Sequence, residues 1–150
     1  MPQSLTKTYV HIVFSTKNHQ NFIDNQIKHS LFEYLGGICR SLECNPVMIG
    51  GYKNHVHILC LLSKKITQMK LLEELKKNSS KWIKTKGSNY LNFYWQNGYG
   101  IFSVNPAQVE IVRKYIINQE KHHRKLTFKE EYRKFLHKYN VDYDERYVWD

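Results

Sequence analysis

Four short β-prone runs alternate with two amphipathic helical stretches, and this order narrows the fold more than any other feature of the chain. Residues 8–14, Thr-Tyr-Val-His-Ile-Val-Phe, are β-branched and aromatic and read as a first strand. Asp24 can then cap a helix whose apolar positions Ile27, Leu31, Leu35, Ile38 and Leu42 follow helical spacing. Asn45-Pro46 ends that helix and opens a second strand over 47–49; Gly50-Gly51-Tyr52-Lys53-Asn54 turns it into a third, the apolar run 55–62. A helix over 67–84 follows, with Leu71, Leu72, Leu75, Trp82 and Ile83 on one side and Lys70, Lys77, Lys81 and Lys84 on the other. Residues 99–104 read as the fourth strand. Short connections and right-handed crossovers make β-α-β-β-α-β a ferredoxin-like α+β fold, an antiparallel sheet with helices against one face. The first and third strands would then be central neighbours, with the other face open to a ligand or partner subunit.

Two more helices are expected after the sheet. Asn105-Pro106 is a helix start, with Gln108 completing a capping-box pattern, and the helix should run through Val109, Val112 and Ile116 towards His122-His123. The last opens at Thr127, with Glu130 three residues on, and packs through Phe128, Tyr132, Phe135 and Leu136. The aromatic tail 142–150 is expected to dock on the body of the protein. At 150 residues the chain is read as one domain over 1–150, large enough for a core without metal or disulfide staples.

The formal charge of +10, in a chain with eleven tyrosines, implies a polyanionic partner, and nucleic acid is the usual one. No membrane is expected: no apolar run approaches the roughly 20 residues of a spanning helix, and the N-terminus lacks a signal-like apolar segment. The expected location is the cytoplasm, in association with the nucleoid. Cys39, Cys44 and Cys60 are read as free thiols; Cys39 and Cys44 with His55 and His57 match no tight zinc spacing, and Cys60 alternates to the strand face opposite the histidines.

The residues that most narrow the chemistry are His55-Val56-His57. Side chains alternate along a strand, so both imidazoles face the same side and can share one metal ion or contact one phosphate. Chance alone supplies such a pair about 0.4 times in a chain with eight histidines, so it needs company. Tyr115 and Gln119, four residues apart, supply it, as neighbours on one helical face that can lie against the sheet without being buried in it. Around them cluster Arg113, Lys114, Lys121, His122, His123, Arg124 and Lys125.

With these motifs the chain resembles the small single-tyrosine HUH transposases of bacterial insertion sequences, the insertion-sequence-200-like family. His55-Val56-His57 matches the family's His-hydrophobic-His motif, and Tyr115-Ile116-Ile117-Asn118-Gln119 its nucleophile-bearing helix. Residues 11–18, 95–104 and 118–123 resemble the family's opening strand and the segments flanking that helix. The resemblance implies a DNA transposase in which His55, His57 and Gln119 hold Mg²⁺ or Mn²⁺ and Tyr115 attacks a phosphodiester. That attack would give a 5′-phosphotyrosine and a free 3′ hydroxyl, then rejoining. It further implies single-stranded, hairpin-forming DNA as partner and a homodimer, with the tyrosine helix of one subunit completing the histidine site of the other in some members. Lys70, Lys77, Lys81, Lys84, His122 and Arg124 are the candidate DNA-backbone contacts, and His11 is expected beside the histidine pair. Two other readings stay open: a non-catalytic RNA-recognition module on the same strand order, and a domesticated relative that no longer transposes. Against the first, no Arg/Lys-Gly-aromatic run exists and strand three carries histidines where stacking rings would sit.

Overall fold

A computed structural model describes residues 2–150 and contains the expected β-α-β-β-α-β core followed by further helices. The strands are β1 (Tyr9–Ser15), β2 (Pro46–Tyr52), β3 (His55–Leu61) and β4 (Gly100–Val104). The helices are α1 (Lys28–Ser41), α2 (Gln68–Lys84), α3 (Val109–Ile117), α4 (Gln119–His123) and α5 (Phe128–Lys138). The sheet is antiparallel in the order β2-β3-β1-β4, so β1 and β3 lie side by side at its centre.

Alternation along β1 and β3 divides the side chains between the two faces. Val10, Ile12, Phe14, Val56, Ile58 and Cys60 pack against Leu31, Leu35, Leu71, Leu72 and Leu75 of α1 and α2. Each such fully buried aliphatic or aromatic side chain contributes about 1.5–3 kcal/mol relative to exposure. Asp24 Oδ1 accepts from the Ile27 amide in the turn leading into α1, and Thr67 accepts from the Lys70 amide to cap α2.

The second face is not open. Leu59, Val104 and Ile116 cluster there with Val109, Val112 and Tyr115 of α3, while Val13 and Phe102 meet Phe128, Tyr132 and Leu136 of α5. The apolar stripes of α3 and α5 need a surface, and the nearest is the sheet of their own chain. Thr127 and Glu130 form the expected reciprocal capping box at the start of α5. The tail docks as well: Trp149 packs edge-on against Tyr132, and the Gly98 amide donates to the Asp150 carbonyl.

Two expectations for the tyrosine helix are corrected. Asn105 accepts from the Ala107 amide and starts a 3-10 turn, Pro106–Gln108, with no part for the Gln108 side chain. The helix also does not run unbroken to His123. It ends at Asn118 (φ −91, ψ 20), and α4 restarts at Gln119, re-aiming the Gln119–His123 segment.

Two glycines of β2 set how closely this layer sits. A Cβ on Gly50 would lie 2.9 Å from Ile116 Cγ2 and 3.0 Å from its carbonyl oxygen, so Gly50 admits the backbone of the tyrosine helix. A Cβ on Gly51 would stand 2.2 Å from the His55 carbonyl oxygen and 3.0 Å from Val56 Cα, both backbone atoms of the opposing strand. Gly51→Ala is therefore expected to cost about 3 kcal/mol and to lower Tm by about 10 °C. A melting temperature within 2 °C of wild type, by the approximate size scaling, would sink this account of the hairpin.

Candidate active site

β3 carries two imidazoles into the interface between the sheet and α3–α5. His55 and His57 are fully buried on the face opposite Val56 and Ile58. Asn54 Oδ1 lies 2.8 Å from His55 Nδ1, and the Asn54 amide nitrogen donates to the His19 carbonyl at 3.4 Å. That pattern assigns the proton of His55 to Nδ1 and turns the Nε2 lone pair inward. Burial lowers the His55 pKa to about 3, with the neighbouring His57 adding to the effect, so the ring is neutral at pH 7.

The inward lone pair meets other acceptors. Gln119 Oε1 is 2.9 Å from His55 Nε2, and Glu131 Oε1 is 3.4 Å away. His123 hands its Nδ1 proton to the Leu126 carbonyl at 2.7 Å, so in its neutral form its Nε2 is also a bare acceptor, 3.1 Å from Gln119 Oε1. Such a gathering of acceptors is unfavourable unless a cation stands among them. The ligand atoms of His55, His57 and Glu131 all lie within 4.8 Å of one another, a candidate metal-binding triad, and Gln119 adds an amide oxygen beside it. Nitrogen and oxygen donors of this kind fit a divalent ion with open positions. His57 Nε2 is 3.0 Å from Glu131 Oε1, and any proton there must leave before His57 can ligate.

Glu131 was not foreseen from the sequence, yet it touches every member of the group. Its Oε1 faces His57, His55 and His123, its Oε2 accepts from the Tyr115 hydroxyl, and Gln119 Nε2 donates to Oε2 at 3.1 Å. Burial alone would raise its pKa, but the facing imidazoles and donors outweigh this and hold the carboxyl well below the usual carboxylate range. The opposite holds for its partner. Burial first, then the charge of Glu131 and the hydrogen bond to it, push the Tyr115 hydroxyl well above the ordinary tyrosine value. A signal for Glu131 was present: at 100° per residue it falls about 40° beyond Phe135, an acid at the edge of the apolar stripe of α5.

The remaining expected residues divide into two groups. His11 on β1 lies with Nε2 2.8 Å from His57 Nδ1, fixing that ring from behind, and its own Nδ1 is buried without a partner. His122 stacks on the Tyr115 ring at 4.5 Å between centroids, and Arg124 lies exposed beyond it. Gln119 is almost fully buried rather than lying at the surface of its helix, with its Nε2 donating to Glu131 Oε2. The structure does not bring the α2 lysines near this group. Leu71, Leu72 and Leu75 seat α2 on the other sheet face, where Lys70 pairs with Glu74 at 3.0 Å and Lys77 with Glu74 at 3.5 Å. Lys84 lies over the Tyr94 ring. Among the described residues no helix is long and apolar enough to cross a membrane.

The fold has counterparts in known proteins. The crystal structure of a Deinococcus radiodurans protein assigned as a transposase superposes with a TM-score of 0.62 at 18% identity, covering 79% of this chain and 98% of that one. A REP-associated tyrosine transposase, solved bound to a REP hairpin, gives 0.55 at 16% identity, over 81% of this chain and 74% of the other. No curated protein sequence matches the chain. The family described as transposase IS200-like matches residues 4–119, a span that contains His55, His57, Tyr115 and Gln119 and stops before Glu131. By that match over most of its length, the chain belongs to the IS200-like transposase family.

Proposed function

We propose that this protein is a DNA transposase that cuts and rejoins single-stranded DNA through Tyr115. The observation that carries the reading is the Tyr115 hydroxyl hydrogen-bonded to Glu131, whose other oxygen faces His55 and His57. Tyr115, Glu131, His55 and His57 thus stand in one cluster within a strongly basic chain, a set that suits a nucleophile, its proton acceptor and imidazoles that contact a phosphate.

In the proposed reaction Tyr115 Oη forms a bond to the phosphorus of a DNA phosphodiester. The bond from phosphorus to the 3′ oxygen breaks, leaving a 5′-phosphotyrosine and a free 3′ hydroxyl. As the new bond forms, the Tyr115 proton passes to Glu131 Oε2, the acceptor already on that hydroxyl, and it is returned to the departing 3′ oxygen, which leaves as the hydroxyl. His55, His57, Glu131 and Gln119 are the residues that would hold a divalent ion, Mg²⁺ or Mn²⁺. When bound, such an ion supplies Lewis-acid stabilisation of charge on the scissile phosphate. Rejoining is the same exchange in reverse: a 3′ hydroxyl displaces Tyr115 from phosphorus, and the tyrosine recovers its proton. The phosphodiester is exchanged and never hydrolysed, so no nucleotide cofactor is consumed.

The substrate proposed here is single-stranded DNA bearing a hairpin, by extension from the relative bound to a REP hairpin. A nucleoid-associated location follows from that substrate. An RNA-recognition module of the same strand order would need the sheet face for stacking bases, and α3 and α5 cover it. The test is incubation of wild-type protein with end-labelled hairpin DNA from its own flanking sequence and Mn²⁺, followed by a denaturing gel. A protein–DNA adduct is expected, and EDTA should suppress it. No adduct with any flanking hairpin would overturn the proposal.

A further inference from the structure

The α2 lysine stripe, on the sheet face away from Tyr115 and partly neutralised by Glu74, is poorly placed to guide a strand to the site. A different surface is better placed. The loop joining α4 to α5 and the β2–β3 hairpin enclose a groove of ≈460 Å³ lined by Tyr52, Lys53, Asn54, His123, Arg124 and Lys125 among others. It shares Tyr52, Lys53 and Arg124 with an adjoining hollow of ≈230 Å³, and Arg124 and Lys125 with another that reaches His122. Arg124 stands where the three meet. Among the described residues lining all three, the one acid is Glu120, which Lys28 already holds at 2.5 Å.

Both ends of this run touch the active site. Tyr52 stacks on His123 with centroids 5.3 Å apart and 18° between planes, and the His123 ring is 4.4 Å from that of His55. At the other end His122 covers Tyr115. Tyr52 is half-buried, with His123 stacked on its ring and the Lys53 ammonium over it at 5.5 Å from the centroid, a cation on a flexible stem that an incoming base can displace towards its own phosphate. A ring that can stack, flanked by cations, is what an unpaired nucleotide needs: a surface for its base and charge for its phosphates.

We infer that this groove is the track for unpaired DNA nucleotides adjoining the scissile phosphate, with a base on Tyr52 and phosphates against Lys53, Arg124 and Lys125. The inference rests on the single-strand reading above and adds the route by which the strand reaches Tyr115. The test measures binding alone, by fluorescence anisotropy with a labelled oligothymidine in EDTA, across a salt series. Lys53→Ala/Arg124→Ala/Lys125→Ala is expected to lower the slope of log affinity against log salt by about 2. Tyr52→Ala is expected to weaken binding about five- to a hundredfold, and Tyr52→Phe, which keeps the ring, to leave it unchanged. Lys70→Ala/Lys77→Ala should bind as wild type does. A triple variant with the wild-type slope would overturn the inference, and so would an α2 double variant losing as much affinity. An equal loss for blunt duplex DNA would overturn it too, since it would assign the groove to double strands. No bond is cut in this assay, so its failure and failure of the adduct assay are separate results.

Discussion

Tyr115→Phe is expected to form no covalent adduct with single-stranded DNA, while Glu131→Gln forms it about 10²- to 10⁴-fold more slowly than wild type. Phenylalanine keeps the ring that His122 stacks on and that Phe135 meets edge-on at 5.6 Å, so the packing of α3 survives. What it removes is one hydroxyl and its hydrogen bond to Glu131, a net change of about 1 kcal/mol in stability. Gln119 Nε2 still donates to the same carboxylate oxygen, so Glu131 is not left bare. Loss of the adduct with a near-native melting temperature would therefore report the missing nucleophile and not a collapsed site. An adduct formed by Tyr115→Phe would mean that another side chain attacks.

Glu131→Gln separates the second role. The amide has the shape of the carboxylate but neither its charge nor its capacity to take the proton from Tyr115, whose own ionisation is opposed by burial. The rate should fall for that reason while hairpin binding persists. Glu131→Ala is a harsher change, because it strands the Tyr115 hydroxyl and the Gln119 amide in a buried cluster. A cost of about 3 kcal/mol is expected from these unmatched donors. If Glu131→Gln forms adduct at the wild-type rate, Glu131 holds the site together without moving a proton.

The order of strands and helices was legible because period-two and period-3.6 hydrophobic patterns are local, and so are caps such as Thr127 with Glu130. His55, His57, Tyr115 and Gln119 were legible through the spacing of a family motif. Two things were not. The break at Asn118 carries no glycine or proline, and the Asn118 amide still reaches the Lys114 carbonyl at 3.1 Å, so nothing in the local pattern marks it. The destination of α3 and α5 is a long-range matter: Phe128, Tyr132 and Leu136 announce an apolar stripe but not which surface covers it. Glu131 was missed for the same reason. One acid at the edge of an apolar helix face becomes meaningful only when the opposing face is known to carry three imidazoles.

That same packing decides whether the site is built within one chain. Mixing Tyr115→Phe with His57→Ala, each inactive alone, is expected to restore no adduct. The structure brings Tyr115 and Gln119 to the histidines of their own chain, through a link from β4 that consists of Asn105 and one 3-10 turn. Exchanging the helices between two copies would mean lifting Ile116 off Gly50 and Leu59, and drawing Phe128, Tyr132 and Leu136 away from Val13 and Phe102. The docked tail, with Trp149 on Tyr132 and Asp150 on Gly98, would have to move as well. In a homodimer that did exchange them, random pairing would give half the dimers one intact site each, and roughly a quarter of wild-type adduct would return. The two outcomes differ from nothing to a quarter, large enough for one gel to separate them. Recovery near a quarter would place the tyrosine of each subunit in the site of its twin; none would leave each chain with its own.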